Sequence, residues 1–121
     1  MNLLSSIEFI STQKDVSQYY LSSAIYVMTS RHEGFPMVLL EAQSYGLPIV
    51  SFDCLTGPKD LIISGVDGFL IPFGNIQVMT EKLLFLMINT KKRKEMGLNA
   101  LCKSSNYLVD NIINKWKNIL E

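Results

Sequence analysis

The sequence predicts an α/β fold: a short parallel sheet of about four strands, flanked by helices and followed by a helical C-terminal tail. Three observations carry that prediction. Short apolar runs alternate with segments of helical periodicity as far as Pro72. The connections between them are short, which indicates parallel strands joined by right-handed crossovers. From Ile76 onward the pattern is helical throughout. With 121 residues and 48% hydrophobic content, the chain has material for one core and not for two full domains.

The elements follow in order. Ile7-Glu8-Phe9-Ile10 is a short strand candidate. Asp15 then supplies a capping side chain ahead of Val16-Ser17-Gln18-Tyr19-Tyr20-Leu21, whose apolar residues have helical spacing. Ala24-Ile25-Tyr26-Val27-Met28-Thr29-Ser30 reads as a buried strand over 25–29. A helix over 36–45 follows, with Pro36 in its first turn, where proline is best tolerated. Next come a strand over 48–52, a short helix opened by Pro58 and reaching about Ser64, and a fourth strand from Gly68 to Ile71. Three helices complete the chain. Met79, Leu83, Leu86 and Met87 are expected on the buried face of the first. Trp116, at helical spacing with Ile112, Ile113 and Ile119, is expected in an apolar seam. The residues show no internal repeat, low-complexity run or linker.

The chemistry is concentrated between Glu33 and Glu41. A strand delivers Glu33 to the mouth of a helix, whose first backbone N–H groups lack intrahelical partners and carry the positive end of the helix dipole. Gly34 permits close approach of a ligand to the backbone, and Pro36 removes an N–H that would be orphaned in any case. The open amides are then those of Gly34, Phe35, Met37 and Val38. The helix rises about 7–8 Å from Pro36 to Glu41 at roughly 1.5 Å per residue, so the glutamates stand apart. They are placed to bracket a diphosphate. Each carboxylate accepts two hydroxyl donors, which suits the vicinal diol of a hexose or a ribose.

With these residues the chain resembles the carboxy-terminal part of a GT-B glycosyltransferase of the family 4 type, a partial Rossmann-like domain. Its Glu-x7-Glu motif is matched by Glu33 and Glu41. Gly46-Leu47-Pro48-Ile49-Val50-Ser51, Thr56-Gly57-Pro58-Lys59-Asp60-Leu61-Ile62 and Gly65-Val66-Asp67-Gly68-Phe69-Leu70-Ile71-Pro72 follow in the family's order, so the resemblance covers roughly residues 7 to 121. It implies that Glu33 contacts the donor hexose hydroxyls at the catalytic centre. It further implies that backbone from Gly34 through Phe35, Pro36, Met37 and Val38 meets sugar and diphosphate, and that Glu41 holds the nucleotide ribose. Thr56 and Gly57 are candidates for the pocket wall. Such enzymes transfer a sugar from a nucleotide diphosphate sugar with retention and without a metal; no Asp-x-Asp occurs here. No cofactor beyond the donor is expected. The amino-terminal domain that would bind a glycan or lipid-linked acceptor is absent from these 121 residues, as are the basic positions that help neutralise the diphosphate. The chain reads as a fragment.

Net charge is zero, but residues 80–121 carry eight basic against four acidic side chains. Lys91-Lys92-Arg93-Lys94 supplies most of that excess and reads as a solvated helix face, with weak attraction to an anionic membrane as the alternative. Nucleic acid is not an expected partner, since no aromatic residue interleaves with the run. Cys54 and Cys102 lie far apart with no ligand spacing around them, so they are expected to be free thiols. Without a signal peptide or an apolar span of membrane length, a cytoplasmic location is expected, peripheral to a membrane at most. His32 and Asp53 are disfavoured as catalytic groups, and Lys59 reads as an exposed helix lysine. If the strand at 7–10 is a bare sheet edge, the chain is expected to self-associate there.

Two other functions compete with sugar transfer. A donor-binding or interaction module without turnover would need only the residues present. A glycoside hydrolase pair would need one carboxylic acid held protonated, whereas a helix start favours the ionised form.

Overall fold

The computed structural model describes residues 3–32, 34, 36–55 and 57–120. Three parallel strands, β1 (Tyr26–Met28), β2 (Ile49–Asp53) and β3 (Gly68–Pro72), form one sheet in the order β1-β2-β3. Tyr26 pairs with Ile49 and Met28 with Ser51; Ile49 pairs with Gly68 and Asp53 with Pro72. All three strands therefore point their carboxyl ends the same way, which is where open α/β sheets bind ligands.

β2 is covered on both faces, and Ile49 through Phe52 are all buried. Its side chains alternate between two cores. Ile49 belongs to one, with Met28, Leu39, Ala42, Leu47, Leu61 and Ile62. Val50 and Phe52 belong to the other, with Phe69, Ile71, Met79, Leu86 and Met96. The helices α2 (Met37–Ser44) and α3 (Pro58–Leu61) cover the first face, while α4 (Ile76–Ile88) and α5 (Thr90–Ser104) cover the second.

Close backbone approach lets α5 reach α2 as well. A Cβ on Gly97 would lie 2.3 Å from the Gly46 carbonyl oxygen, so only glycine fits there. Farther along α5, Lys103 Nζ lies 3.3 Å from the buried Asp67 Oδ2 and donates to the Leu61 carbonyl. Asp67 Oδ1 accepts from Ile63 N at 2.9 Å, and the buried Gln43 donates to the same Leu61 carbonyl at 2.8 Å. These bonds tie α2, α3, α5 and the turn before β3 together.

Four expectations are corrected. Residues 7–10 form no strand; they run as irregular, exposed chain after a 3-10 turn at Leu4–Ser6, with Phe9 87% exposed. A strand needs a paired neighbour and a buried face, and among the described residues that segment has neither. Among the described residues the sheet therefore has three strands, with β1 and β3 at its two edges. Pro36 lies just outside α2 as the capping residue (φ −80°, ψ 86°) and not in its first turn. Met87 faces solvent; only Met79 and Leu86 of the expected four are fully buried. Finally, α6 (Val109–Leu120) has its Ile112, Ile113, Trp116 and Ile119 exposed, so its apolar stripe packs in no seam among the described residues.

The basic run is not uniformly solvated. Arg93 donates to the carbonyls of Leu86 and Met87 at 2.9 and 3.2 Å, satisfying orphan acceptors at the end of α4.

Candidate functional site

Glu33, Phe35 and Thr56 lie outside the described residues. The rest of the site is built on α2 and what precedes it. α2 begins at Met37, and its first described bond runs from Leu39 N to the Pro36 carbonyl at 3.0 Å. Among the described residues, none accepts from the amides of Gly34, Met37 or Val38. Gly34 is exposed, and a Cβ built on it would meet nothing within 4 Å among the described residues.

Gly57 holds that loop in place. At φ +101° it adopts a conformation that side-chain-bearing residues rarely take, and its Cβ position would lie 2.7 Å from both the Gly34 carbonyl and Pro36 Cδ. The buried Gly57 therefore packs directly under the Gly34–Pro36 segment, with Pro36 and Pro58 buried beside it. The sequence named Gly57 as a pocket residue; the geometry places it as the floor of the helix mouth.

Glu41 is exposed on α2, one turn beyond Met37. It opens into a cleft of 510 Å³ whose other walls include residues 10–13, Tyr19, Tyr20, Tyr26 and Val38. Tyr20, in α1 (Ser17–Ser22), donates its phenol to Glu41 Oε2 at 3.1 Å. The Tyr20 ring stacks on Tyr45 at 5.0 Å and on Tyr26 at 6.0 Å between centroids. Burial, and then the hydrogen bond to Glu41, push the Tyr20 phenol well above its ordinary pKa, so it stays a donor through the physiological range.

Sequence reasoning did not single out the tyrosines that line this cleft, Tyr19, Tyr20 and Tyr26. The signal was present: four of the five tyrosines fall between residues 19 and 45. Asp15, expected as the cap, lies one residue before the capping position, which Val16 holds without a side-chain cap bond. The Asp15 carboxylate accepts from Ser17 N at 2.9 Å, and its hydrogen bonds with Ser17 hold its carboxyl below the ordinary carboxylate value.

A second cleft, of 370 Å³, opens at the carboxyl ends of the strands. Arg31, His32, Asp53, Cys54, Leu55 and Phe73 line it, so His32 and Asp53, read separately from sequence, share one wall. Lys59 is exposed on α3. Cys54 is buried and Cys102 is exposed, and neither is in a disulfide among the described residues. Among the described residues, no three His, Cys, Asp or Glu side chains are grouped to hold a metal ion. No described helix is long and apolar enough to cross a membrane.

Comparison with known proteins assigns the framework. The sequence profile of the family glycosyl transferases group 1 matches residues 1–101. The amylovoran biosynthesis glycosyltransferase AmsD of Erwinia amylovora is 40% identical over 119 residues, covering 98% of this chain and 33% of that protein. A lipopolysaccharide 1,6-galactosyltransferase of Salmonella typhimurium is 48% identical over 61 residues, covering 50% of this chain and 17% of its own. The crystal structure of Anabaena HepE in complex with UDP superposes with a TM-score of 0.80 at 26% identity, covering 89% of this chain and 30% of that one. The chain thus spans about a third of the length of the first relative and less of the other two. A parallel α/β sheet flanked by helices, in a chain matched by profile, sequence and superposition alike, means that the chain belongs to the glycosyl transferases group 1 family, as a C-terminal-type GT-B domain.

Proposed function

We propose that this chain is the donor-binding part of a glycosyltransferase that moves a hexose-type group from a nucleotide diphosphate sugar to an acceptor, with retention, in polysaccharide or lipopolysaccharide synthesis. The observation that carries the reading is that Val38 and Glu41 of α2 both line the 510 Å³ cleft, while among the described residues nothing accepts from the amides of Met37 and Val38 at the start of that helix. One helix presents an anion site and, a turn later, a carboxylate for a diol. UDP in the HepE structure supports a nucleoside diphosphate as ligand, and the amylovoran and lipopolysaccharide relatives support a polysaccharide or lipopolysaccharide product.

In this reading Glu41 takes the ribose hydroxyls, and the amides of Gly34, Phe35, Met37 and Val38 take the diphosphate. Those amides stabilise the charge that grows on the leaving diphosphate, and they do so without reorganising. Glu33 orients the donor sugar, and Thr56 and Gly57 border the pocket. Neither glutamate is a nucleophile. No metal is required, so chelation with EDTA leaves binding unchanged. The acceptor, a glycan or lipid-linked sugar, is bound by a further domain. A cytoplasmic enzyme, peripheral to the membrane through its basic C-terminal half, fits this substrate class. The open edge of β1 and the exposed stripe of α6 favour self-association, which light scattering at rising concentration would detect.

A calorimetric titration with UDP and UDP-glucose tests the site. Glu41→Ala is expected to weaken both ligands by about tenfold or more, the loss of a charged hydrogen-bond acceptor. Glu33→Ala is expected to weaken UDP-glucose and leave UDP nearly unchanged. Equal losses for both ligands in both variants would contradict the division of roles. A second reading is a nucleotide-sugar-binding or interaction module without turnover. A transfer assay with donor hydrolysis measured alongside separates the two: turnover restores the enzyme, while binding alone supports the module.

A further inference from the structure

Glu41 is an exposed glutamate, and an exposed glutamate samples several rotamers. A diol ligand needs one of them. The hydrogen bond from Tyr20, 3.1 Å from Oε2, selects it, because the Tyr20 ring is itself fixed. Tyr45 lies parallel to that ring, with 3° between planes, and Tyr26 lies on it at 22°. Tyr26 belongs to β1, and Tyr20 and Tyr26 both pack against the buried cluster of Leu39, Ala42 and Ile49. The donor thus reaches Glu41 from the folded core, across 21 residues of sequence.

A carboxylate offers about four acceptor positions, so one phenol leaves Oε1 and the second lone pair of Oε2 for a ligand. We infer that Tyr20 is a positioning residue: it orients the Glu41 carboxylate toward the cleft so that it grips a ribose diol, and it thereby sets the preference for ribo- over 2′-deoxyribonucleotides. This rests on the donor-binding reading above. The raised pKa of the phenol supports it, since the donor persists wherever Glu41 is a carboxylate. A phenol that merely competed with ligand for Glu41 would have the opposite effect.

The test is calorimetry with UDP and 2′-deoxy-UDP on the full chain, Tyr20→Phe, Glu41→Gln and the double variant, with thermal melting as a check on folding. Tyr20→Phe keeps the ring stack and removes only the donor. It is expected to weaken UDP about 3- to 10-fold and leave 2′-deoxy-UDP within about twofold, so that the ribose preference shrinks. On the Glu41→Gln background the same substitution is expected to change nothing further. Tyr45→Phe, which also keeps the stack, is expected to bind both nucleotides as the parent does. Equal weakening of both nucleotides by Tyr20→Phe, the same loss on the Glu41→Gln background, or tighter UDP binding would overturn the role of Tyr20 alone. Absence of UDP binding to the parent chain, or a ribose preference that survives Glu41→Gln, would overturn the donor reading and this inference with it.

Discussion

Gly57 decides the shape of the helix mouth through a single missing carbon. Its φ of +101° and the 2.7 Å approaches to Gly34 and Pro36 leave no room for a side chain. Gly57→Ala is expected to cost roughly 1–3 kcal/mol in strain and to push the Gly34–Pro36 segment outward. If the amides of that segment take the diphosphate as proposed, nucleotide affinity should fall by more than about fivefold, because they move with it. Urea denaturation and UDP titration of the same variant check both parts. A loss of stability with unchanged affinity would place Gly57 in the fold and outside the site. Sequence reasoning reached this residue through its pattern, but the contact with Gly34 crosses 23 positions and belongs to the tertiary structure.

Helices of similar apolar content have different worth here, depending on whether a partner exists. Leu39 of α2 is fully buried, whereas Trp116 of α6 is 59% exposed. Leu39→Ala is expected to destabilise the chain by about 2–5 kcal/mol, the transfer and cavity cost of a core leucine. Trp116→Ser is expected to change stability by less than about 0.5 kcal/mol, as for an exposed position without a network. Chemical denaturation of the two variants checks the contrast. Comparable losses would mean that α6 packs against the domain in solution. Helical periodicity located α6 correctly, because that signal is local. It could not say that the apolar face stays uncovered, since coverage depends on what else the fold brings near.

The whole molecule is closed by one buried ion pair. Lys103 reaches from α5 to Asp67, which is 2% exposed, and to the Leu61 carbonyl that Gln43 also uses. Removing the cation leaves a buried carboxylate with the Ile63 amide as its one partner among the described residues. Lys103→Ala is therefore expected to cost about 3–5 kcal/mol, lowering the melting temperature by more than about 10 °C. Asp67→Asn with Lys103→Met should recover much of the loss, because neither uncompensated charge remains buried. Calorimetric melting of the single and double variants measures it; additive losses would deny the coupling.

The parallel α/β order, the strand over 25–29, the helix over 36–45 and the family itself were legible in the residues, because periodicity, prolines and glycines act over a few positions. The segment at 7–10 misled because alternation of apolar residues is necessary for a strand and not sufficient; a paired neighbour must also exist. By itself the sequence determined most of the segments that coil or extend from residue 17 onward, and it placed a helix start within one residue of Pro36. Only the tertiary structure decided that Tyr20 meets Glu41, that Gly57 floors the loop, that β1 ends the sheet and that α6 lies uncovered. Contacts between distant positions depend on how the elements pack, and no local pattern encodes that.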